Sequence, residues 1–404
     1  MSAKHFDAIV IGGGAIGQAA AYALGRRGAR TLVLEQFTFA NQLGSSAGMS
    51  RQFRVPYPQR YMVTLVKQSI PFWDELQALT PVRLLEKVGT LWFGDPTVHS
   101  TEGNIAEAEK AMTEEGVAFD NVDVKQLETE FHFRDLPTTY TGIYQADGAS
   151  IHLRATILTL LQWNRASPHV TLHDEAPVTG LDWSGGRFTA RTPLGSFTAD
   201  KLVLVPGPFA NGAFKLLGFE IEAIYWNMTS AYFKKTEPDI QYPTWFVFQN
   251  AIATNGNQFY GFPEVDWDHP GYVRVAPDFV TQALATPEQR TFIPNSDELA
   301  FTSRWVHDHM TGVDPTPQFT STCLVALNAI PNKELIVDFA PDYVDHHDGI
   351  VVCATGWAAK FVPLLGPILA DLALDGKTTF DISNFRLRDS FLRANSATRL
   401  KPGR

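Results

Sequence analysis

The first forty residues contain the pattern that most restricts the fold of this chain. An apolar, β-branched run at residues 6–11 leads directly into Gly12, Gly14 and Gly17, which have the spacing G-x-G-x-x-G. An alanine-rich helical run follows, and a second apolar strand is predicted over Thr31–Leu34. Strand, glycine turn, helix and second strand in this order predict a parallel β-α-β unit that opens a doubly wound α/β fold.

The glycines and the acid after the second strand indicate a dinucleotide site. Gly12 permits the tight turn, Gly14 lets the backbone approach a pyrophosphate, and Gly17 lets the helix pack closely on the strand. The helix N-terminus then presents N–H groups and a positive dipole end to the phosphates. Glu35 lies 18 residues after Gly17, where a carboxylate binds ribose hydroxyls and repels the 2′-phosphate of NADP. This unit alone does not separate NAD from FAD, and a glycine-rich turn in another α/β protein is the plain alternative.

Composition and charge exclude several classes of partner. The 404 residues carry a net charge of −10, which argues against nucleic acid or an anionic membrane as a partner. The hydrophobic fraction of 45% is that of a folded protein with two or three packed units. Two cysteines form no disulfide framework, and neither a signal peptide nor an apolar run of about 18 residues is present. We expect a cytoplasmic monomer without a membrane span, and the absence of histidine and cysteine pairs at ligand spacing predicts no metal site.

Strand–glycine–helix units recur in the middle and near the end of the chain. They cover residues 197–214, with Gly207 at the turn, and 348–374, with Gly356 at the turn. Residues 220–280 between them are rich in aromatics and alternate apolar with polar, as in an antiparallel sheet. This interleaving favours a flavoprotein over an NAD dehydrogenase, whose nucleotide fold is more often contiguous. We therefore predict a discontinuous Rossmann-like FAD-binding domain interleaved with an α+β substrate domain built on an antiparallel sheet. The predicted ranges are 1–80, 150–215 and 320–404 for the first domain and 81–149 and 216–319 for the second.

Several segments resemble the amine-oxidising FAD enzymes of the monomeric sarcosine oxidase type, within the D-amino-acid oxidase superfamily. The resemblance runs nearly end to end and includes AIVIGGGAIG, GSSAGMSRQFR, YGF, GWAAKF and DLALDGKTTFDIS. The segments LWFGD, APDF and TSTCLVAL are more similar to the branch that oxidises piperideine-2-carboxylate in nikkomycin biosynthesis. The resemblance implies hydride transfer from a carbon next to nitrogen to flavin N5, followed by reoxidation by O2 to hydrogen peroxide.

The resemblance also implies residues that hold the cofactor. In this family the cysteine that matches Cys323 forms a thioether to the flavin 8-methyl carbon, which implies covalent FAD here. The plain alternative is a small buried hydrophobe, and that reading is favoured for Cys353 in the strand GIVVCATG. Arg51 resembles a residue beside the flavin ring, where a cation stabilises the reduced anionic form. Ser45 lies in the same glycine-rich loop and is expected to contact the cofactor.

Arg54 and Lys360 match the family's clamp for a substrate carboxylate, and Lys360 also matches a residue at the flavin. Arginine supplies a planar two-pronged donor and lysine a compact charge. Lys360 begins an otherwise apolar helix, where a cation is unfavourable unless a ligand or partner neutralises it. A phosphate contact or a surface ion pair is the alternative for Arg54. Trp357 directly follows Gly356 and is expected to stack over a planar substrate or ring, with a core tryptophan as the alternative.

Glu102 and Asp278 lie in segments shared with the piperideine-2-carboxylate branch. A carboxylate near the site can accept an N–H proton or hold an iminium, although solvated surface acids are the plain alternative. The chain departs from the sarcosine oxidases at Ser46 and Ala47, which replace paired histidines, and at Arg274, which replaces a lysine implicated in oxygen activation.

These departures predict that the pocket is not shaped for sarcosine. We predict an oxidase of a small carboxylate-bearing cyclic imino or amino acid, such as piperideine-2-carboxylate or pipecolate. An N-methyl amino acid oxidase that releases formaldehyde is one alternative. A flavin dehydrogenase that does not use O2 and a non-enzymatic nucleotide-binding module are the others.

Overall fold

The computed structural model describes residues 4–100, 102–250, 258–328 and 335–393. Two eight-stranded sheets and one three-stranded sheet form its frame. The first large sheet contains the predicted β-α-β unit, and the second contains the aromatic-rich segment. The predicted α/β class with a Rossmann-like sheet and a second sheet of different character is therefore confirmed.

The strands and helices follow one another along the whole chain. The strands are β1 (Lys4–Ile11), β2 (Thr31–Leu34), β3 (Ser50–Phe53), β4 (Leu85–Lys87), β5 (Thr90–Gly94), β6 (Asp120–Asp123), β7 (Thr141–Gln145), β8 (Ala149–His152), β9 (Val170–His173), β10 (Gly180–Ser184), β11 (Arg187–Thr192), β12 (Gly195–Leu204), β13 (Ala223–Lys235), β14 (Thr244–Phe248), β15 (Phe259–Phe262), β16 (Tyr272–Pro277), β17 (Val313–Asn328), β18 (Ile336–Phe339) and β19 (Ile350–Ala354). The helices are α1 (Ala15–Arg26), α2 (Arg60–Gln77), α3 (Ile105–Glu114), α4 (Val124–Thr129), α5 (Leu153–Ala166), α6 (Ala210–Phe214), α7 (Ser296–His309) and α8 (Val362–Asp375). Among the described residues, no helix has the length and apolar character needed to cross a membrane.

The first large sheet brings together strands from three distant parts of the chain. β1 pairs in parallel with β2 on one side and with β12 on the other, and β12 pairs in parallel with β19. β2 continues to β9, while β10, β11 and β12 form an antiparallel meander. α1 packs against α5 and α8. Because parallel strands end at the same edge, the turns that follow β1, β12 and β19 meet there.

The second large sheet has the order β17-β13-β16-β15-β14-β5-β7-β6. Its pairs are antiparallel apart from β14 with β5, which run parallel, so the predicted antiparallel sheet is mixed at this position. A hairpin cannot join a parallel pair, and these two strands are more than 140 residues apart in sequence. α7 covers one face, where Trp305 stacks on Trp245 with ring centroids 4.7 Å apart.

β17 places the end of the substrate sheet later than the sequence suggested. The sequence predicts that residues 320–404 belong to the FAD-binding domain. In the structure, β17 stays paired with β13 as far as Asn328, which lies opposite Ala223. The segment 320–328, including Cys323, therefore belongs to the second sheet. The continuous pairing with β13 decides where this segment lies, and the local change in composition that predicted a boundary at residue 320 does not.

Gly366 sets the distance between α8 and α1. A Cβ at this position would lie 2.5 Å from the carbonyl oxygen of Ala19, so Gly366→Ala should separate the helices and destabilise the protein by about 1–3 kcal/mol. The midpoint of urea unfolding measures the effect. Gly212→Ala is the matched control, because a Cβ there would meet nothing within 4 Å, and its expected effect is below about 0.5 kcal/mol. Equal unfolding midpoints for the two variants would show that α8 can shift to accept the methyl group without a loss of stability.

Candidate functional site

A cavity of about 550 Å³ lies between the carboxyl edge of the first sheet and the inner face of the second. Such an edge is where open α/β sheets bind ligands. Gly17 is absent from its lining and packs behind the glycine turn. The other residues singled out from the sequence all line this one cavity: Gly12, Gly14, Glu35, Ser45, Arg51, Arg54, Glu102, Gly207, Arg274, Asp278, Cys323, Gly356, Trp357 and Lys360.

The glycine turn after β1 requires its glycines for steric reasons. Gly12 has φ +109°, and a Cβ there would overlap the carbonyl of Val205 at the end of β12. A Cβ on Gly17 would overlap the carbonyl of Gly12 itself. The start of α1 is therefore held against both strands, which leaves its first turn facing the cavity.

The first turn of α1 is also bound by a loop residue that the sequence did not single out as a contact. The N–H of Ala15 donates a hydrogen bond of 3.0 Å to Ser46 Oγ. A Cβ on Gly14 would come within 2.9 Å of the same oxygen. The bare backbone of Gly14 thus forms a cradle beside a helix N-terminus, which is the arrangement that fits a pyrophosphate.

Glu35 is buried at the end of β2 and lines the cavity. Its Oε2 accepts a hydrogen bond of 2.6 Å from the N–H of Gly13, and its Oε1 accepts one of 2.9 Å from the N–H of Phe37. Burial raises the pKa of the Glu35 carboxyl, and the hydrogen bonds from Phe37 and Gly13 oppose that rise. Each carboxylate oxygen keeps a further lone pair, so this side chain fits the ribose of an adenine dinucleotide.

Cys323 lies on β17 opposite Met228 and is partly exposed. Its Sγ is 3.0 Å from Nη2 of Arg51. The same guanidinium donates to the carbonyls of Ser45, Ala47 and Ser50 at 2.6–2.9 Å. The glycine-rich loop therefore holds a fixed cation beside the thiol.

A second contact joins this loop to β17, and the second cysteine has a different environment. The hydroxyl of Ser45 donates a hydrogen bond of 2.6 Å to the carbonyl of Leu324. Cys353 is buried inside β19, and burial raises the pKa of its thiol to about 12. A thiol with so high a pKa is a poor nucleophile, so Cys353 is unsuited to forming a covalent bond.

Arg54 and Glu102 form a buried ion pair in the cavity wall, and Lys360 lies near them. Nζ of Lys360 donates a hydrogen bond of 3.0 Å to the carbonyl of Trp357. Burial opposes the charge on Arg54, but the pairing with Glu102 raises its pKa above the ordinary value. Burial lowers the pKa of Lys360, and the nearby Arg54 lowers it further, while Tyr57 and Glu102 oppose the change.

Trp357 follows the turn at the end of β19. The N–H of Gly356 donates to the carbonyl of Ala326 at 3.1 Å, which ties this turn to β17. From α2, Trp73 donates a hydrogen bond of 2.8 Å to the carbonyl of Lys360. The half-buried indole of Trp357 packs in a small apolar cluster with Tyr260 and Cys323, so it faces the same part of the cavity as the thiol.

Arg274 extends from β16 into the opposite wall. Its Nη2 donates a hydrogen bond of 3.0 Å to the carbonyl of Ser50, and its Nη1 lies 3.6 Å from Asp268 Oδ2. Its guanidinium also covers the ring of Phe262 at 3.7 Å from the centroid. Asp268 accepts a further hydrogen bond of 2.8 Å from Ser50 Oγ. This cation is therefore immobilised at the cavity wall.

Sequence reasoning missed four residues that belong to this arrangement. The sequence marks Ser46 and Ala47 only as departures and Tyr260 only as part of the YGF segment, although Tyr260 lies half-buried in the cavity wall. Burial raises the pKa of Tyr260 to about 12; Asp278 and Cys323 add to that rise, while Arg274 opposes it. Asp268 carried no signal, because its contact with Arg274 depends on the turn between β15 and β16.

The charges around Trp357 favour an anionic ligand. Four cationic side chains line this part of the cavity, Arg51, Arg54, Arg274 and Lys360, together with the carboxylates of Glu102 and Asp278. A buried excess of positive charge is unfavourable unless an anion neutralises it. The cavity can therefore hold a dinucleotide along the glycine turn and a small carboxylate beside Trp357.

Gly14→Val should abolish cofactor uptake, because the branched side chain would fill the cradle against Ser46. We expect purified protein without the visible absorbance of flavin and at least about tenfold less bound FAD after reconstitution. Ala166→Val, an exposed change at the end of α5, is the control and should retain full loading. Normal flavin content in the Gly14 variant would show that the pyrophosphate lies elsewhere.

Comparisons with known proteins show the family to which this chain belongs. Residues 7–372 match the family model described as FAD dependent oxidoreductase. The chain is 26% identical to a monomeric sarcosine oxidase of a Bacillus species, over 95% of this chain and 96% of that one. It is 30% identical to a putative bifunctional amine oxidase of Dictyostelium discoideum over 98% of its own length but only 38% of that protein.

A solved structure of NikD, described as an unusual amino acid oxidase essential for nikkomycin biosynthesis, has a similar fold. The TM-score is 0.88 at 35% identity, with 95% of this chain and 98% of NikD covered. The chain belongs to the FAD dependent oxidoreductase family and is a flavin-dependent amine oxidoreductase.

Proposed function

We propose that this protein oxidises a small cyclic imino or amino acid that carries a carboxylate, such as piperideine-2-carboxylate or pipecolate, with O2 as the electron acceptor and hydrogen peroxide as the product. The observation that carries the proposal is the buried group of Arg54, Glu102 and Lys360 beside Trp357. Bound FAD supplies the two-electron acceptor for a C–H bond next to nitrogen and returns those electrons to oxygen. The likeness to NikD, an unusual amino acid oxidase, supports an amino acid as the substrate.

The carboxylate of the substrate binds between Lys360 and Arg54. Lys360 offers N–H donors beyond the one that contacts the carbonyl of Trp357, and Arg54 offers guanidinium N–H groups beyond those used by Glu102. Anchoring at two cations fixes the ring of the substrate in one orientation. One face of the ring then lies against the indole of Trp357.

The acidic residues of the pocket accept the proton that the substrate loses. Glu102 and Asp278 are both buried and line the cavity. A carboxylate at this position accepts the proton of the ring nitrogen as the adjacent carbon is oxidised. The pKa of Tyr260, raised to about 12, keeps its hydroxyl protonated at neutral pH, so it acts as a hydrogen-bond donor to the substrate ring.

The fixed cations assist the reaction with O2. A positive charge beside the flavin favours the formation of negative charge on O2, and Arg274 is immobilised by the carbonyl of Ser50 and by Asp268. Arginine stays charged at every pH at which the protein is folded. We therefore assign to Arg274 the place that a lysine has in the sarcosine oxidases.

A substrate panel tests the function. Cyclic imino and amino acids should bleach the flavin under anaerobic conditions and release peroxide in air, without formaldehyde. Formaldehyde release from N-methyl amino acids at a higher kcat/KM would instead favour a sarcosine-type oxidase, the reading that the sarcosine oxidase relatives support. Flavin bleaching without turnover in air would identify a dehydrogenase, and no bleaching by any amine would contradict the proposal.

Covalent attachment through Cys323 completes the proposal, because this partly exposed thiol lines the cavity, with the Arg51 guanidinium 3.0 Å from its Sγ. Cys323→Ala should yield protein whose flavin is released completely by acid precipitation. Cys353→Ala, the matched control inside β19, should leave the flavin attached. Acid-released flavin in the unaltered protein would contradict the tether, and flavin retained in the Cys323 variant would place it on another residue.

A further inference from the structure

We propose that Tyr57 is a positioning residue of the carboxylate clamp, whose ring face holds Arg54 and Lys360 side by side behind the substrate. This inference rests on the proposed function, because it concerns how the clamp receives its ligand. Tyr57 is absent from the cavity lining, whereas Arg54 and Lys360 both line it. It acts through these two cations and has no contact with the substrate assigned to it.

The geometry shows one ring shared by two cations. Cζ of Arg54 lies 4.8 Å from the centroid of the Tyr57 ring, and Nζ of Lys360 lies 5.4 Å from the same centroid. Both distances are within the range of about 6 Å at which the negative face of an aromatic ring attracts a cation. Tyr57 is 6% exposed, so water screens neither contact.

Other rings near the clamp serve one cation each. Trp92 contacts Arg54 at 5.0 Å, and Phe361 contacts Lys360 at 5.3 Å. Among the described residues, Tyr57 is the ring that faces both. The spacing between guanidinium and ammonium therefore depends on Tyr57, and a carboxylate has two oxygens to match two such donors.

The ring of Tyr57 also stabilises the positive charge of Lys360. Arg54 and Lys360 repel each other in a buried place, where the carboxylate of Glu102 pairs with Arg54. Burial lowers the pKa of Lys360 and Arg54 lowers it further, whereas an aromatic ring face stabilises the charged form of an ammonium beside it. A deprotonated Lys360 cannot attract an anion. By stabilising the ammonium, the ring extends the pH range in which the clamp works.

The sign of the pH effect follows from this. The pKa of Lys360 lies below its ordinary value, so its charge is present at low pH and disappears as the pH rises through that pKa. Removing the ring removes a stabilisation of the charged form and lowers the pKa again. Carboxylate affinity should then be lost at a lower pH than with the ring in place, and above both midpoints the affinity should be about tenfold weaker.

Three replacements of Tyr57 test the inference on the purified holoenzyme. Tyr57→Phe keeps the ring, Tyr57→Leu removes it, and replacement of Tyr57 by pentafluorophenylalanine keeps the shape but reverses the charge of the face. Calorimetry measures binding of pyrrole-2-carboxylate between pH 6 and 10, and pyrrole-2-carboxamide is the uncharged control. The phenylalanine variant, which lacks the hydroxyl but keeps the ring, is the reference, and the other two should lose affinity for the carboxylate alone at a lower pH than this variant.

The outcomes separate this inference from the proposed function. Lys360→Met should abolish the pH dependence and the preference for carboxylate over carboxamide. If the parent protein shows no such preference, the clamp itself is wrong and the inference fails with it. If the preference exists but the fluorinated and phenylalanine variants share one pH profile, the clamp stands and the role of the ring is overturned. Equal loss for the carboxamide in the leucine variant also overturns it, because the pocket is then merely disrupted.

Discussion

The close approach of α1 to the ends of β1 and β12 is the constraint on which the rest of the molecule depends. Gly17 lies directly on the carbonyl of Gly12, and Gly12 in turn lies on the carbonyl of Val205. On its other side, α1 meets α8 with Gly366 against Ala19. Three layers of backbone therefore pack without intervening side chains. This brings the N-terminus of α1 to the edge at which the turns after β12 and β19 also end.

The pocket concentrates four cationic side chains, and each is stabilised by its own combination of partners. Backbone carbonyls hold Arg51, a carbonyl and a carboxylate hold Arg274, and a carboxylate and two aromatic faces hold Arg54. Lys360 contacts a carbonyl and two aromatic faces. The arginines are thus set in place before any ligand arrives, while lysine is the cation whose charge responds to its surroundings. An anionic substrate completes the neutralisation.

Patterns that are local in sequence predicted much of this structure. The glycine turn, the bounds of β2 and the interleaving of two kinds of sheet follow from periodicity and glycine spacing within short windows. The position of β17 did not, because its pairing with β13 is decided by residues about 100 positions earlier. The parallel pairing of β5 with β14 could not be predicted either, because the two strands are more than 140 residues apart in sequence.

The site residues divide in the same way. The glycines and Glu35 belong to one short motif, whereas the family resemblance supplied Arg54, Lys360 and Cys323. The contact between Arg51 and Cys323 spans 272 positions in the chain, and no local pattern records it. No sequence pattern marks Tyr57, because its contact with Lys360 joins residues about 300 positions apart in the chain.

The strand order of the first sheet has a consequence for the biogenesis of the protein. β1 leaves the ribosome first, yet its neighbour β12 begins at Gly195, and the next strand outward, β19, ends at Ala354. Pairings so distant in sequence form slowly and late. The chain must be synthesised at least as far as Ala354 before the nucleotide cradle is enclosed. Cofactor capture therefore follows the pairing of these distant strands, and the free energy of that binding stabilises the sheet that they form.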